Sequence, residues 1–384
     1  MPTLSLLRLI VVLFALLGGF NASAQTQSIP VPAPPSLGAE GYMLMDFHSG
    51  RVLAERNIDQ RRDPASLTKI MTAFVVFSEL KAGNLQLSDT VLVSEKAWRA
   101  VGSRMFIEVG DEISIENLLR GMIIQSGNDA SVALAEHIAG TEATFASLMN
   151  QYAAELGMTN THYTNAAGLP SDEHYSSVAD TARLVQALIS RFPTFYELYS
   201  EQSFTWNDIE QPNRNRLLGR DSSVDGVKTG YTESAGYCLA TSANRDGMRL
   251  ISVVMGTDSA SARIEQTQAL LNYGYRFFKT HRLYGAREVI EQPTLWKGER
   301  DTLDIGVAEA LHVTIPVRAY ERLNAELSVN NPLIAPLEKD AAVGQLRVSL
   351  EGELLAERDV IALNPAPEGG IIGRTIDSLR LWME

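Results

Sequence analysis

The sequence predicts an α+β chain: an antiparallel sheet packed with helices, then a small all-β domain and a terminal amphipathic segment. Three observations lead there. Strand-like stretches come first, helical ones fill the middle, and strands with one more helix follow, the order of a segregated α+β domain. From about His281 the helical spacing gives way to alternation of period two. The last stretch returns to a helical stripe.

The N-terminus reads as a secretory signal at 1–24. Arg8 supplies the positive charge, Leu9 to Phe20 is apolar but short for a bilayer span, and Ala22-Ser23-Ala24 is a small-residue cleavage site. Pro30, Pro32, Pro34 and Pro35 make 25–38 an extended lead. In the main domain, 39–283, Tyr42 to Asp46 and Arg51 to Glu55 predict two strands around the turn His48-Ser49-Gly50. Asp63 reads as the N-cap and Pro64 as N1 of a helix carrying Phe74, Phe77 and Leu80. Ser114 caps a second helix through Leu118, Leu119 and Met122, which stops near Ser126-Gly127-Asn128; a third carries Val132, Ala133, Ala135 and Ile138. Further helices follow, including 179–191. Strands are expected at Val227 to Thr229, Tyr237 to Asn244 and Arg249 to Met255, and a last helix from about Ala262 to Lys279. Alternation at Leu311 to Val317, Leu323 to Val329 and Leu346 to Leu350 defines a β-rich domain at 284–364, read as a spacer or interaction module. In the final 365–384, a linker and amphipathic segment, Ile372, Ile376, Leu379 and Met383 share one stripe with Trp382 beside it. Arg374, Asp377 and Arg380 take the other face, as in an interfacial membrane helix.

Composition excludes several classes. At 384 residues the chain has room for two domains, and a formal charge of −13 argues against a nucleic-acid partner. Cys238 is the only cysteine, so an exported chain has no intramolecular disulfide here; its apolar setting reads as a core thiol. None of the six histidines (His48, His137, His162, His174, His281, His312) has a tight metal spacing, and no Gly-x-Ser-x-Gly elbow occurs. A nonlocal histidine triad stays open. No cofactor is expected.

The chemistry concentrates in Ser66-Leu67-Thr68-Lys69. Serine needs a base to lose its proton, and positions i and i+3 of a helix are neighbours. An anion forming beside Ser66, near N3, would meet an unpaired first-turn N–H and the positive end of the helix dipole. The spacing is cheap: Ser78-Glu79-Leu80-Lys81 repeats it at what reads as a solvated helix end before Gly83. Ser126-Gly127-Asn128 lies at a helix junction, though Ser242-Ala243-Asn244 and Ser328-Val329-Asn330 share its pattern. Lys228-Thr229-Gly230 is the only such tripeptide and sits on a predicted edge strand.

Together and in order, Ser-x-x-Lys, Ser-x-Asn and Lys-Thr-Gly form the penicilloyl-serine transferase set. The wider segments Asp63-Pro64-Ala65-Ser66-Leu67-Thr68-Lys69, Ser126-Gly127-Asn128-Asp129-Ala130 and Asp225-Gly226-Val227-Lys228-Thr229-Gly230 resemble the D-alanyl-D-alanine carboxypeptidase family of low-molecular-mass penicillin-binding proteins. The signal, the trailing β domain and the terminal segment extend that resemblance over the mature chain. It implies a β-lactamase/transpeptidase-like fold and an acyl-serine enzyme that trims the terminal D-Ala from peptidoglycan pentapeptide stems. It also implies acylation by β-lactams, export to the periplasm or outer face of the cytoplasmic membrane, and peripheral membrane contact.

By the same resemblance, Ser66 is the nucleophile, Lys69 the base and Ser126 a proton relay. Asn128 holds the substrate amide and Lys69. Lys228 and Thr229 meet the terminal carboxylate, Gly230 permits close approach, and Arg214 matches the family's carboxylate-region arginine. The N–H groups of Ser66 and Tyr231 make the oxyanion hole. Tyr231 stands where the family often has histidine, so only its backbone role carries over. Lys69 must be neutral, and burial with a nearby Lys228 charge is expected to lower its pKa. A D,D-endopeptidase or a β-lactamase would use the same site. The second is weakened by Ser-Gly-Asn and by the lack of an identifiable deacylating glutamate. A catalytically idle cell-wall-binding protein is opposed by the intact motif order.

Overall fold

A computed structural model describes residues 31–383. The signal at 1–24, the cut after Ala24 and the first part of the lead, 25–30, lie outside the described residues. From Val31 the lead packs on the main domain: Leu37 is buried and the Tyr273 hydroxyl donates to Pro32 O at 3.0 Å.

Five strands build the main sheet: β1 (Gly41–Asp46), β2 (Val52–Arg56), β3 (Val224–Thr232), β4 (Gly236–Arg245) and β5 (Met248–Thr257). Their spatial order is β2-β1-β5-β4-β3, with every pairing antiparallel. Both faces are covered, and alternation divides β1, β3, β4 and β5 between two cores, while β2 gives its buried residues to one. Met43 and Met45 of β1, with Ile251 and Val253 of β5, point into the larger core. Tyr42 and Leu44, with Leu250 and Val254, point into the smaller. Because both faces are covered, β1 and the middles of β4 and β5 read as nearly continuous buried runs.

The larger core holds α1 (Thr68–Ala82), α2 (Ile115–Ile124), α3 (Asn128–Ala139), α4 (Glu142–Glu155) and α5 (Val178–Arg191). Helix α1 is its centre: Ile70, Met71, Phe74, Val75, Val76 and Phe77 are all fully buried, as expected of a helix apolar all round. Ser114 caps α2 as predicted, its side chain accepting from Asn117 N–H. Helix α6 (Ala260–Phe277) covers the opposite face through Leu270 and Leu271.

Two boundaries differ from expectation. The segment after Asp63 does not enter an α-helix directly. Ala65–Leu67 is a 3-10 turn, Ala65 sits in the left-handed region at φ +47°, and α1 starts at Thr68. Asp63 is not its N-cap, a place taken by Pro64; it lies one residue earlier and accepts Ala65 N–H at 2.8 Å. Helix α6 stops at Phe277, and Lys279 belongs to a strand, β6 (Phe278–Tyr284). Phe278 lies seven residues after Leu271, which let the helical spacing run on into the strand.

Strand β6 leads into the β-rich part, with β7 (Ile305–Val307), β8 (Leu311–Pro316), β9 (Leu323–Val329), β10 (Ala342–Leu350) and β11 (Glu353–Ala362). β8 pairs with β6, while the other four form a sheet of order β7-β11-β10-β9. The junction with the main domain is polar. Asp46 accepts from the Thr280 hydroxyl at 2.6 Å, and Arg51 donates to Thr314 O at 2.9 Å. A final helix, α7 (Ile371–Met383), has no buried residue. Among the described residues no helix is long and apolar enough to cross a membrane.

Candidate active site

Three elements converge on one cleft of about 1010 Å³: the turn before α1, the α2–α3 junction and the edge strand β3. Ser66, Ser126, Thr229, Gly230, Tyr231 and Arg214 all line it.

Lys69 projects from the first turn of α1 and is 1% exposed. Its Nζ lies 2.9 Å from Ser66 Oγ, 2.7 Å from Asn128 Oδ1 and 2.6 Å from Ala167 O. The Asn128 amide is oriented by its Nδ2, which donates to Val101 O at 2.5 Å, leaving Oδ1 toward Lys69. Burial pushes Lys69 down to about 7, with Asp129 pulling the other way. The expected lowering is therefore present, with desolvation as its chief cause. The two lysines also lie within each other's field. Lys228 is held well below the usual lysine range by burial first, then by Lys69, Arg263 and Arg214. Its Nζ donates to Thr229 O at 3.2 Å.

Ser126 adopts φ +69° between α2 and α3, and its hydroxyl makes no hydrogen bond among the described residues. Asp129 anchors the neighbouring loop by accepting from Met105 and Phe106 N–H at 3.0 and 2.9 Å. Gly230 allows a close approach to the turn that carries Ser66. A Cβ there would sit 3.1 Å from Pro64 O and 3.3 Å from Ala65 Cβ. Asp63 ties the same two elements together. Besides accepting Ala65 N–H, it accepts from the hydroxyls of Thr232 and Ser234, just past Lys228-Thr229-Gly230, at 2.7 and 2.6 Å.

Arg214 lines the cleft and donates from Nε to Gln125 Oε1 at 3.2 Å. The Tyr231 side chain is half exposed and packs on Tyr237, ring centroids 4.3 Å apart. The second Ser-x-x-Lys pair is not brought together: Ser78 Oγ donates to Phe74 O and Lys81 Nζ to Arg191 O.

Sequence reasoning missed two contributors. Arg263 of α6 lines the cleft and donates to Gly230 O at 3.1 Å. The loop around 165–169 supplies the third partner of Lys69. Asn165 Oδ1 accepts from the N–H groups of Ala167, Gly168 and Leu169, which turns the Ala167 carbonyl toward the lysine. An Asn followed by a glycine-containing stretch is the one available signal for such a turn. His174 buttresses this loop. Its Nδ1 accepts from Thr164 N–H, its Nε2 lies 2.8 Å from Thr68 Oγ1, and burial lowers it to about 4. It touches Thr68 rather than Ser66, so it forms no triad with the serine. Cys238 is a buried thiol of β4. Among the described residues no group of three His, Cys, Asp or Glu is placed to hold a metal.

The sequence profile described as D-alanyl-D-alanine carboxypeptidase matches residues 27–259, and that of the penicillin-binding protein 5 C-terminal domain matches 278–368. The chain is 42% identical over 361 residues to D-alanyl-D-alanine carboxypeptidase DacA of Escherichia coli, covering 91% of this chain and 89% of that one. It is 43% identical over 352 residues to DacC of the same organism, covering 89% and 88%. Penicillin-binding protein 5 of Haemophilus influenzae superposes with a TM-score of 0.83 at 38% identity, over 88% of this chain and all of that one. Ampicillin-bound penicillin-binding protein D2 of Listeria monocytogenes gives 0.58 at 31% identity, over 63% of this chain and all of that one. The chain therefore belongs to the D-alanyl-D-alanine carboxypeptidase family, and is a serine-type enzyme of the low-molecular-mass penicillin-binding kind.

Proposed function

We propose that Ser66 attacks the carbonyl of a terminal D-Ala-D-Ala bond of a peptidoglycan pentapeptide stem, with Lys69 as its base. The observation that carries this is the environment of Lys69 Nζ. A neutral amine has two N–H bonds and one lone pair. Asn128 Oδ1 and Ala167 O are obligate acceptors and take both donors. The lone pair is left facing Ser66 Oγ. Burial without a contacting carboxylate favours that neutral form near pH 7.

In acylation the Ser66 Oγ–carbonyl bond forms and the hydroxyl proton passes to Lys69. The N–H groups of Ser66 and Tyr231 receive the developing oxyanion; loss of one such donor typically costs about 10²–10³ in rate. The unbonded hydroxyl of Ser126 relays a proton to the leaving amine as the C–N bond breaks. Asn128 also holds the substrate amide. Lys228, Thr229 and Arg214 receive the terminal carboxylate. That anion restores charge to Lys228, whose cationic form burial otherwise disfavours. Gly230 keeps β3 close to the nucleophile turn. Water then cleaves the ester and frees Ser66. β-Lactams, as cyclic acyl donors, enter by the same first step.

The 1–24 segment fits export to the periplasm or outer face of the cytoplasmic membrane, and 39–283 is the catalytic unit, followed by 284–364. Helix α7 is suited to peripheral attachment. Ile372, Ile376, Leu379 and Trp382 are exposed, Trp382 at 86%, with nothing packed over them among the described residues.

The test is release of D-Ala from an N-acylated pentapeptide ending in D-Ala-D-Ala, beside Ser66→Ala. Release by the wild type alone supports the reading; equal release by both proteins overturns it. Rapid turnover of penicillin would instead favour a β-lactamase.

A further inference from the structure

The cleft is more cationic than one carboxylate requires. Its lining includes Arg214, Arg216, Arg220 and Arg263 against a single acid, Glu265. This concentration runs against a chain of formal charge −13. Two of the four are engaged: Arg263 donates to Gly230 O and Arg214 to Gln125 Oε1. The side chains of Arg216 and Arg220 have no hydrogen bond or ion pair among the described residues. Asp221, the adjacent acid, is already occupied by Arg245, Gln268 and Ser223.

The local fold holds these arginines in place. Asn215 is buried, donates from Nδ2 to Gly226 O at 3.0 Å and accepts from Leu217 N–H at 3.2 Å. Leu217 enters the smaller core. Arg214 and Arg216 flank this anchor and face the cleft. Burial is the chief cause that lowers the Arg263 pKa, and Arg214 and Arg216 add to it, so the three cations sit within each other's field. Such repulsion is relieved when anions arrive. The cluster shares the cleft lining with Thr229 and Gly230, the end that receives the terminal carboxylate in the reading above.

A leaving D-Ala carries one carboxylate, which Lys228, Thr229, Arg263 and Arg214 can hold. We propose that Arg216 and Arg220 form a second carboxylate subsite, favouring leaving residues with a further acidic group in the side chain or in an attached peptide. This rests on the acyl-serine reading above and leaves its covalent steps unchanged: Ser66 Oγ bonds the carbonyl carbon, the C–N bond breaks, and the leaving amine takes the proton.

The probes are N-acylated peptides ending in D-Ala followed by a variable leaving residue. The residue is D-Ala, D-Glu, D-Gln, or D-Lys bearing an Nε-succinyl or neutral Nε-succinamoyl group. Each acid is compared with its neutral isostere as a ratio of kcat/KM within one enzyme, so a general loss of activity cancels. The wild type should prefer at least one acid by about 2–10-fold, the range of one or two exposed guanidinium–carboxylate contacts. The preference should shrink in 0.5 M salt and approach unity in Arg216→Gln/Arg220→Gln. Ratios of one in the wild type, or a preference that survives both salt and the double substitution, overturn the subsite. Failure to cleave even the D-Ala peptide would sink the acyl-serine reading, and the subsite with it; cleavage without preference sinks the subsite alone.

Discussion

If Lys69 acts as the base, the acylation rate must follow the fraction of neutral Lys69. Burial brings the amine from the usual 10.5 to about 7. That shift represents roughly 5 kcal/mol of preference for the neutral form. At pH 7 about half the enzyme then carries the free base, against about 3 molecules in 10,000 for an unshifted lysine. The second-order rate of acylation by a penicillin should fall about tenfold per pH unit below pH 6 and level off above about pH 8. Stopped-flow acylation between pH 5 and 9 reads this directly, because the drug's own carboxylate does not titrate there. A flat profile, or a midpoint above pH 9, would refute the reasoning. Stability offers an independent check with a defined sign. The folded pKa lies below the unfolded one, so the unfolded chain binds more protons between them, and stability rises with pH across that window. The difference in unfolding free energy, wild type minus Lys69→Met, should grow by about 2 kcal/mol from pH 7 to 9 in urea titrations. No growth would contradict the shift.

Other substitutions probe how the site is held. Gly168 has φ +83°, and a Cβ there would lie 1.8 Å from Ala65 O. Gly168→Ala should cost about 3 kcal/mol in thermal or urea unfolding and slow acylation by displacing the Ala167 carbonyl. Gly219→Ala, with nothing within 4 Å, serves as the control; equal effects would refute the contact. Asp63→Ala removes the link between the nucleophile turn and the residues after β3. It should cost about 1–2 kcal/mol and slow acylation about tenfold by loosening the oxyanion hole. Asp63→Asn, which can still accept from Ala65 N–H, should recover most of the stability; unchanged acylation in Asp63→Ala would dismiss the link. A chain ending at Pro367 should lose vesicle binding in flotation, and retained binding would remove α7 from the account.

Where side-chain pattern and local geometry agree, the sequence was readable. The motif spacing names Ser66, Lys69, Ser126, Asn128, Lys228 and Thr229; Ser66, Ser126 and Thr229 line one cleft, and Lys69, Asn128 and Lys228 are buried beside it. The strands β1, β4 and β5 follow from largely apolar runs buried on both faces. What escaped lacks such a pattern. Ala167 contributes a backbone oxygen, which leaves no trace in residue type. Arg263 belongs to a helix remote in sequence and reaches the cleft only because α6 packs across the sheet. Ala65 is left-handed where it packs closely on Gly168 and Gly230, a tertiary setting that the local signal Asp63-Pro64 does not carry. Strand β11 has exposed charged residues in its first half and buried ones only at its end, so no alternation marks it.

The central claim is that Ser66 forms a covalent acyl-enzyme with Lys69 as its base. Intact-mass and peptide mass spectrometry after a brief exposure to penicillin tests it most directly. A single adduct on the peptide containing Ser66, absent in Ser66→Ala and strongly slowed in Lys69→Met, is the predicted result. An adduct on any other residue, or equal labelling of the Ser66→Ala protein, would contradict it.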